Sequence, residues 1–450
     1  MADIHASRAL LPEGWARDVT VTLGEDGRIA GVRSGDRAPA GADILLPAPA
    51  NLHSHAFQRA MAGRTEARSG ARDSFWTWRA LMYRFLDRLT PEQVEAIAAQ
   101  VQVEMLEAGY AAVGEFHYLH HQPDGTPYDD LAEMSGRIAA AARTTGIGLT
   151  LLPVLYVQGG IDGRALEGGQ RRFGNDLDRF ARLCEGARAA LCRLPGDAVP
   201  GIAPHSLRAV PPPVLADAVA AHGEGPIHIH VAEQTAEVDE IEAAWGARPV
   251  EWLLTTQPVD ALWCLIHATH MTPPEVEEMA ATGATAGLCP VTEANLGDGI
   301  FDGARFLEAG GRFGVGSDSN VAIGLAAELR QLEYSQRLRD RSRAVLADAD
   351  RSTGRVLYEG ACGGGARALG RDAGAIREGA WADLVALDGD ALALAGLDGD
   401  ALLDGWIFAG DDRVVADVWS AGRHVVGAGR HHARDAVERR FRDAMRQLAE

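Results

Sequence analysis

The stretch Ala48-Pro49-Ala50-Asn51-Leu52-His53-Ser54-His55-Ala56-Phe57-Gln58 runs an apolar segment directly into two histidines one residue apart. On an extended strand alternate side chains leave the same face, so both imidazoles can reach one metal ion. Two histidines do not fill a coordination sphere. The meaning of the pair depends on what other strand ends supply.

Working outward, residues 49 to about 365 alternate short apolar segments with helical ones. The strand candidates are Ile44 to Leu52, Ala111 to Phe116, Gly148 to Val157, Gly201 to Pro204, Ile227 to Val231, Leu262 to Ile266, Ala284 to Leu288 and Phe313 to Gly316. Eight strands separated by helices predict an α/β fold, a closed (β/α)8 TIM-like barrel. Helix starts are marked by Thr90-Pro91-Glu92-Gln93 and Thr272-Pro273-Pro274-Glu275, with a capping hydroxyl, a first-turn proline and a Gln or Glu three residues on. Residues 1–48 and 366–430 read as strands and turns, and together they predict a small β-sandwich made from both ends of the chain. Residues 431–450 predict an amphipathic closing helix with Val437, Phe441, Met445 and Leu448 on one face.

Composition narrows the function. The 450 residues are 47% hydrophobic and 24% charged, as in a globular protein with ample core. No run of about 18 apolar residues predicts a membrane span, and the N-terminus lacks a signal pattern, so a cytoplasmic protein is expected. A net charge of −20 disfavours nucleic acid and anionic membranes as partners. Five scattered cysteines predict neither a disulfide framework nor a thiolate metal site. All 43 basic residues are arginine. A Schiff-base lysine, a Walker-type phosphate lysine and a carboxylated lysine bridging two metals are therefore excluded.

Barrel enzymes assemble their sites at strand C-terminal ends, and this chain concentrates histidine and carboxylate there. His53 and His55 end the first strand, His205 the fourth and His230 the fifth, with Glu233 three residues later; His267 follows the sixth and Asp318 the eighth. His53, His55, His230 and Asp318 offer three nitrogens and one oxygen to a single divalent ion, a set that suits zinc. The remaining histidines are expected elsewhere. His117, His120 and His121 read as a solvated loop cluster, His431 and His432 as surface residues, His270 as support behind the ligands or helix-start polarity. His228 shares a strand with His230 but lies further from the mouth.

These motifs together resemble the single-metal deaminase branch of the amidohydrolase superfamily over nearly the whole chain. Gly374-Ala375-Ile376-Arg377-Glu378-Gly379-Ala380-Trp381-Ala382-Asp383-Leu384-Val385 resembles that superfamily's closing β-sandwich signature. Within the branch, the stretch from Asn51 to Gly63, with Phe75-Trp76-Thr77-Trp78-Arg79 and His117-Tyr118-Leu119-His120-His121, is similar to the N-formimino-L-glutamate deiminases of bacterial histidine degradation.

The resemblance implies hydrolysis of a formimino group to a formyl group and ammonia. Such a reaction needs an activated water and a proton for the departing nitrogen, and it implies one Zn2+ per subunit. Asp318 and His267 would take the water's proton, and Glu233 would carry protons to the imine and the leaving amine. The implied substrate is dianionic, so an acidic protein needs locally placed arginines, and Arg79 and Arg208 are the candidates. Gln58, Tyr118 and His205 match substrate-contacting positions of the deiminases. The segment from Ala56 to Arg79 is expected to cover the barrel mouth, and a homodimer is compatible with the resemblance. Two other readings stay open at this stage: a deaminase of the same branch acting on guanine, an adenosine derivative or an imidazolone, and a non-catalytic binding protein on the same barrel.

Overall fold

The computed structural model describes residues 2–35, 41–64, 66, 82–83 and 85–449. Strands from both ends of the chain build one sheet: β1 (Ala2–Leu11), β2 (Gly14–Leu23), β3 (Ile29–Ser34) and β4 (Ala42–Pro47). Near the C-terminus come β14 (Leu384–Leu387), β15 (Val415–Ser420), β16 (Arg423–Gly427) and β17 (Arg430–His431). The halves meet where β14 pairs antiparallel with β4, Leu384 opposite Pro47 and Leu387 opposite Ile44. Val19, Val21, Ile29, Leu45, Ile376 and Leu384 form their common apolar cluster.

The run expected as one strand from Ile44 to Leu52 is two strands in two sheets. β4 belongs to the terminal sheet, and β5 (Ala50–Ser54) opens the barrel. Pro47 and Pro49 flank the break, and a residue without an N–H cannot continue a ladder on that side. After β5 the barrel strands are β6 (Ala112–His117), β7 (Gly148–Leu155), β8 (Val199–Pro200), β9 (Ala203–Pro204), β10 (Ile227–Val231), β11 (Trp263–His267), β12 (Thr285–Leu288) and β13 (Arg312–Val315). β5 to β8 form one parallel set and β10 to β13 another; β9 pairs with β7. Parallel bridges Ile202 to Ile227 and Ser54 to Asp318 join the sets on both sides. The fourth strand position is thus two short pieces, β8 and β9, rather than the continuous strand expected.

β6, β7, β10 and β11 are buried along their whole length, as parallel strands packed on both faces must be. Both predicted capping boxes form, at Thr90 with Gln93 and at Thr272 with Glu275. The closing helix Arg434–Ala449 packs Val437, Ala444 and Leu448 inward, with Phe441 and Met445 partly buried, against the helix Pro91–Glu107.

One buried ion network ties the terminal sheet to the barrel. The fully buried Arg371 donates to Asp383 at 3.0 and 3.1 Å and to the Asp197 carboxylate at 3.2 Å, while Arg423 grips Asp197 at 2.8 and 2.9 Å. Among the described residues, no helix is long and apolar enough to cross a membrane.

Candidate functional site

The C-terminal ends of β5, β10 and β13 meet in a way the backbone itself enforces. Asp318 N donates to His53 O, and His55 N donates to Asp318 O, each at 2.9 Å. Gly316 permits this approach, because a Cβ there would lie 2.7 Å from both His53 N and His53 O. Below the junction Asn51 Nδ2 donates to Ser317 Oγ at 2.7 Å, Ser317 Oγ to Asn320 Oδ1 at 2.6 Å, and Asn320 Nδ2 to Ser54 Oγ at 3.2 Å. Every member is buried, so the network fixes the register of first strand against last.

Left-handed backbone clusters at the same strand ends. Ala232, His267, Ala268, Asp318 and Asn320 have φ of 52°, 68°, 48°, 46° and 55°. Each such residue costs on the order of 1–3 kcal/mol, and such strain concentrates where side chains are aimed for function. The ladder hydrogen bonds hold it in place.

His53, His55, His230 and Asp318 each place a donor atom within 4.8 Å of the others. His53 Nε2 lies 3.1 Å from His230 Nε2 and 3.4 Å from Asp318 Oδ1, and His55 Nε2 is 3.2 Å from the same oxygen. The opposite nitrogens explain the convergence: His55 Nδ1 pairs with Phe116 O at 3.0 Å and His230 Nδ1 with His205 O at 3.1 Å. A nitrogen facing a carbonyl must carry the proton, leaving each Nε2 as a lone pair aimed at one point. Burial pulls the His53 imidazole down to about 3 and that of His230 well below its usual range. Burial also disfavours the Asp318 carboxylate, but its contacts with the His53 and His55 imidazoles outweigh it and hold Asp318 well below 3.8. Neutral imidazoles and an ionised carboxylate are the forms that bind a divalent cation. A second group, His267, Cys289 and Asp318, is a poorer cradle, because burial raises the Cys289 thiol far above its usual range.

His55, His230, His267 and Asp318 line a cleft at the barrel mouth. Its described walls are His55, Gln58, Met82, Tyr83, Tyr118, Tyr156, Phe173, His205, Arg208, His230, Glu233, His267, Leu296 and Asp318. Gln58 Nε2 donates to Tyr118 Oη at 2.6 Å, and the Tyr118 and Tyr156 rings pack against Phe173 at 4.7 and 5.6 Å. His205 rests on Tyr156 at 4.6 Å, its Nδ1 3.1 Å from Ser206 Oγ. Arg208 is the arginine among the described walls, and its charge reaches Glu233. Arg79, with the stretch Phe75 to Trp78, lies outside the described residues. Of the expected cover from Ala56 to Arg79, the 3-10 helix Ala56–Met61 is described, and its Ala56, Phe57, Gln58, Ala60 and Met61 are buried.

The proton-handling candidates stand side by side. His267 Nε2 is 3.9 Å from Glu233 Oε1, and burial pushes the Glu233 carboxyl up. Burial alone lowers the His267 imidazole, but the carboxylates of Glu233, Glu293 and Asp318 outweigh it and hold it up to about 10.

Several expectations on the other histidines fail. His117, His120 and His121 are buried rather than solvated. His120 Nε2 pairs with Val154 O at 3.0 Å and His121 Nε2 with Gly174 O at 3.0 Å, because the loop folds inward under Arg172. His431 is buried, 2.8 Å from Thr145 O, since the closing helix folds it against the barrel. His228 pairs with Ala368 O at 2.7 Å and takes no part in the cluster. His270 pairs with Asp298 O at 2.8 Å.

Three carboxylates went unnoticed in the sequence. Glu115 on β6 accepts from Ala56 N at 2.8 Å, and burial pushes it up to about 7. Asp298, which accepts a hydrogen bond from Gln234, is pushed up to about 9 by burial and then by the charge of Glu233. Glu293 contacts His267. The available signal was Cys289-Pro290-Val291-Thr292-Glu293, a carboxylate one helical turn beyond the seventh strand.

Residues 44–425 match the model of the amidohydrolase family, and residues 1–44 match that of the formimidoylglutamate deiminase HutF N-terminal domain. The chain is 52% identical over its full length to a formimidoylglutamate deiminase from Pseudomonas aeruginosa, covering 100% of both chains. Among solved structures it is similar to an amidohydrolase from Brucella melitensis, with 53% identity, TM-score 0.96 and full coverage of both. A zinc-bound adenosine deaminase from Xanthomonas campestris shares the fold at 21% identity, TM-score 0.81, covering 99% of this chain and 98% of that one.

Proposed function

Because the chain belongs to the amidohydrolase family, we propose that it is a metal-dependent deiminase converting N-formimino-L-glutamate and water to N-formyl-L-glutamate and ammonia. The observation that carries this reading is the buried four-donor cluster beside the cleft, in a chain alignable end to end with a formimidoylglutamate deiminase. The donors His53, His55, His230 and Asp318 fit one divalent ion, and three nitrogens with one oxygen favour zinc. A cation there would take the Nε2 atoms of His53 and His230, 3.1 Å apart, as ligands. When bound, such an ion supplies Lewis acidity that brings the ionisation of water toward neutral pH.

The remaining steps belong to the chain's own side chains. Asp318 accepts the proton released as water attacks the formimino carbon, and the His267 imidazole, held protonated by its carboxylate neighbours, stabilises the attacking hydroxide. Glu233, three residues beyond His230 and beside His267, delivers protons to the imine nitrogen and to the amine as the C–N bond breaks and ammonia leaves. Arg208 and Arg79 bind the substrate carboxylates, and the planar guanidinium fork matches each carboxylate bidentately. Gln58, Tyr118 and His205 orient the formimino group and glutamate backbone. We read the chain as a cytoplasmic enzyme without nucleic-acid partners, supported by its net charge of −20.

The test is to offer metal-analysed protein N-formimino-L-glutamate, N-formimino-L-aspartate and guanine while measuring ammonia. The first substrate is expected to be turned over fastest. Release from guanine with none from N-formimino-L-glutamate would refute the assignment.

A further inference from the structure

We infer that Glu293 is a positioning residue that acts through His267, holding that imidazole with Nδ1 protonated and Nε2 turned into the cleft. The inference rests on the proposed role of His267 in stabilising the attacking hydroxide.

The geometry places one carboxylate on each side of the ring. Glu293 Oε1 lies 3.2 Å from His267 Nδ1, within hydrogen-bonding reach, whereas Glu233 Oε1 lies 3.9 Å from Nε2, too long for a direct bond. Both members of the short pair are buried, with His267 1% and Glu293 5% exposed, so solvent does not compete. A carboxylate accepts only, so Nδ1 must carry the proton. Nε2 is thereby turned toward Glu233 and Asp318 in the cleft. The ring is held flat as well, stacked on His230 at 5.6 Å and 13° between planes.

Backbone conformation supplies an independent reason for a clamp. His267 and Ala268 are both left-handed, at φ 68° and 48°, a conformation that neither side chain favours. Such a segment keeps its shape only where surrounding contacts over-determine it. Glu293 is part of that restraint, because the oxygen that meets His267 also accepts from Cys289 N at 2.9 Å, at the start of the helix Pro290–Leu296. Helix start and imidazole are therefore fastened to one atom.

That shared oxygen also supplies the competing explanation, that Glu293 serves the helix start alone. Glu293→Gln removes the negative charge behind the ring but keeps an oxygen that accepts from Cys289 N and from His267 Nδ1, whereas Glu293→Ala removes charge and acceptor together, and pairing each with H267A separates the two explanations. The experiment uses the full-length, metal-analysed enzyme with N-formimino-L-glutamate and compares wild type, E293Q, E293A, H267A and H267A/E293A for kcat, KM, metal content and melting temperature. Loss of an orienting partner of this kind costs about 10–100-fold, so E293A should fall at least about 10-fold in kcat and E293Q by less, with KM changed less than about twofold. The double variant should be no slower than H267A, because Glu293 has nothing left to orient.

Unchanged kcat per metal in E293Q and E293A, with H267A impaired, overturns the inference and leaves the proposed function standing. A further loss on adding E293A to H267A also overturns it. Full activity of H267A removes the underlying role of His267 and the inference with it. Should E293A fail to fold, E293Q and the H267A/E293Q pair give the same decision.

Discussion

Replacing Glu233 with glutamine tests the division of labour in the cleft between holding a metal and moving protons. Glu233 is 7% exposed, its backbone N–H is anchored to Glu237 at 3.1 Å, and none of the four converging donor atoms belongs to it. Glutamine has nearly the same shape, so E233Q should keep full metal content. The carboxyl is pushed up by burial and sits 3.9 Å from His267 Nε2, the setting of a group that both accepts and returns a proton. An amide cannot do so. General acid–base catalysis contributes about 10²–10⁴-fold, and at about 1.36 kcal/mol per tenfold the barrier should rise by about 3–5 kcal/mol. The loss should fall on kcat, with KM changed by less than about threefold, because charge recognition is assigned to arginine. The assay is steady-state ammonia release normalised to bound metal, from pH 6 to 9. Turnover within about threefold of wild type across that range would refute the proton-transfer role; lost metal would instead show that Glu233 supports the ligands.

Other expectations concern what holds the site in place. Gly316→Ala should lower metal content and ammonia release together, because the added methyl would meet His53 N and O at 2.7 Å; full metal loading would contradict the close-packing argument. Asp412 is buried and held up to about 6 by that burial, against 3.8 when free, so its contribution to stability is complete below about pH 4 and is lost as pH rises through 6. Asp412→Asn keeps an acceptor for Ala326 N and Trp406 Nε1 and should gain on wild type by up to about 3 kcal/mol above pH 7, or about 3 °C in melting temperature for a chain of this size. An equal difference at pH 4.5 and 7.5 would show that the carboxyl is not the cause. Arg371→Met leaves the buried Asp383 carboxylate without its cation and should cost about 3–5 kcal/mol, read as a melting temperature several degrees lower at unchanged kcat per folded molecule; no shift would mean that the network contributes nothing net.

Much of the architecture was legible because each strand end carried its own label. His53 and His55 share a strand face by the two-residue repeat, and the glycine- and proline-bounded apolar runs repeat as a barrel demands. The capping boxes at Thr90 and Thr272 were legible for the same reason, since their partners lie three residues apart. Legibility failed where burial rather than spacing decided. The histidines of Phe116-His117-Tyr118-Leu119-His120-His121 look like a polar loop in one dimension, yet Arg172 draws that loop inward by donating to His121 O at 2.8 Å and Leu89 O at 3.0 Å. His431 was misread for the same reason.

By itself the sequence determined which donor atoms exist, and that no lysine is present to bridge two metals. Its local spacings also determined which strands carry those donors. Only the tertiary structure decided which atoms converge. Asp318 is 263 to 265 positions from the two histidines it meets, and backbone ladder bonds join them through the closure of the barrel. The protonated face of each imidazole, the left-handed turn at His267 and the carboxylate of Glu293 behind it are likewise products of long-range packing. Hydrogen-bond partners that fix a tautomer come from other strands and helices, and no periodicity within a single segment encodes them.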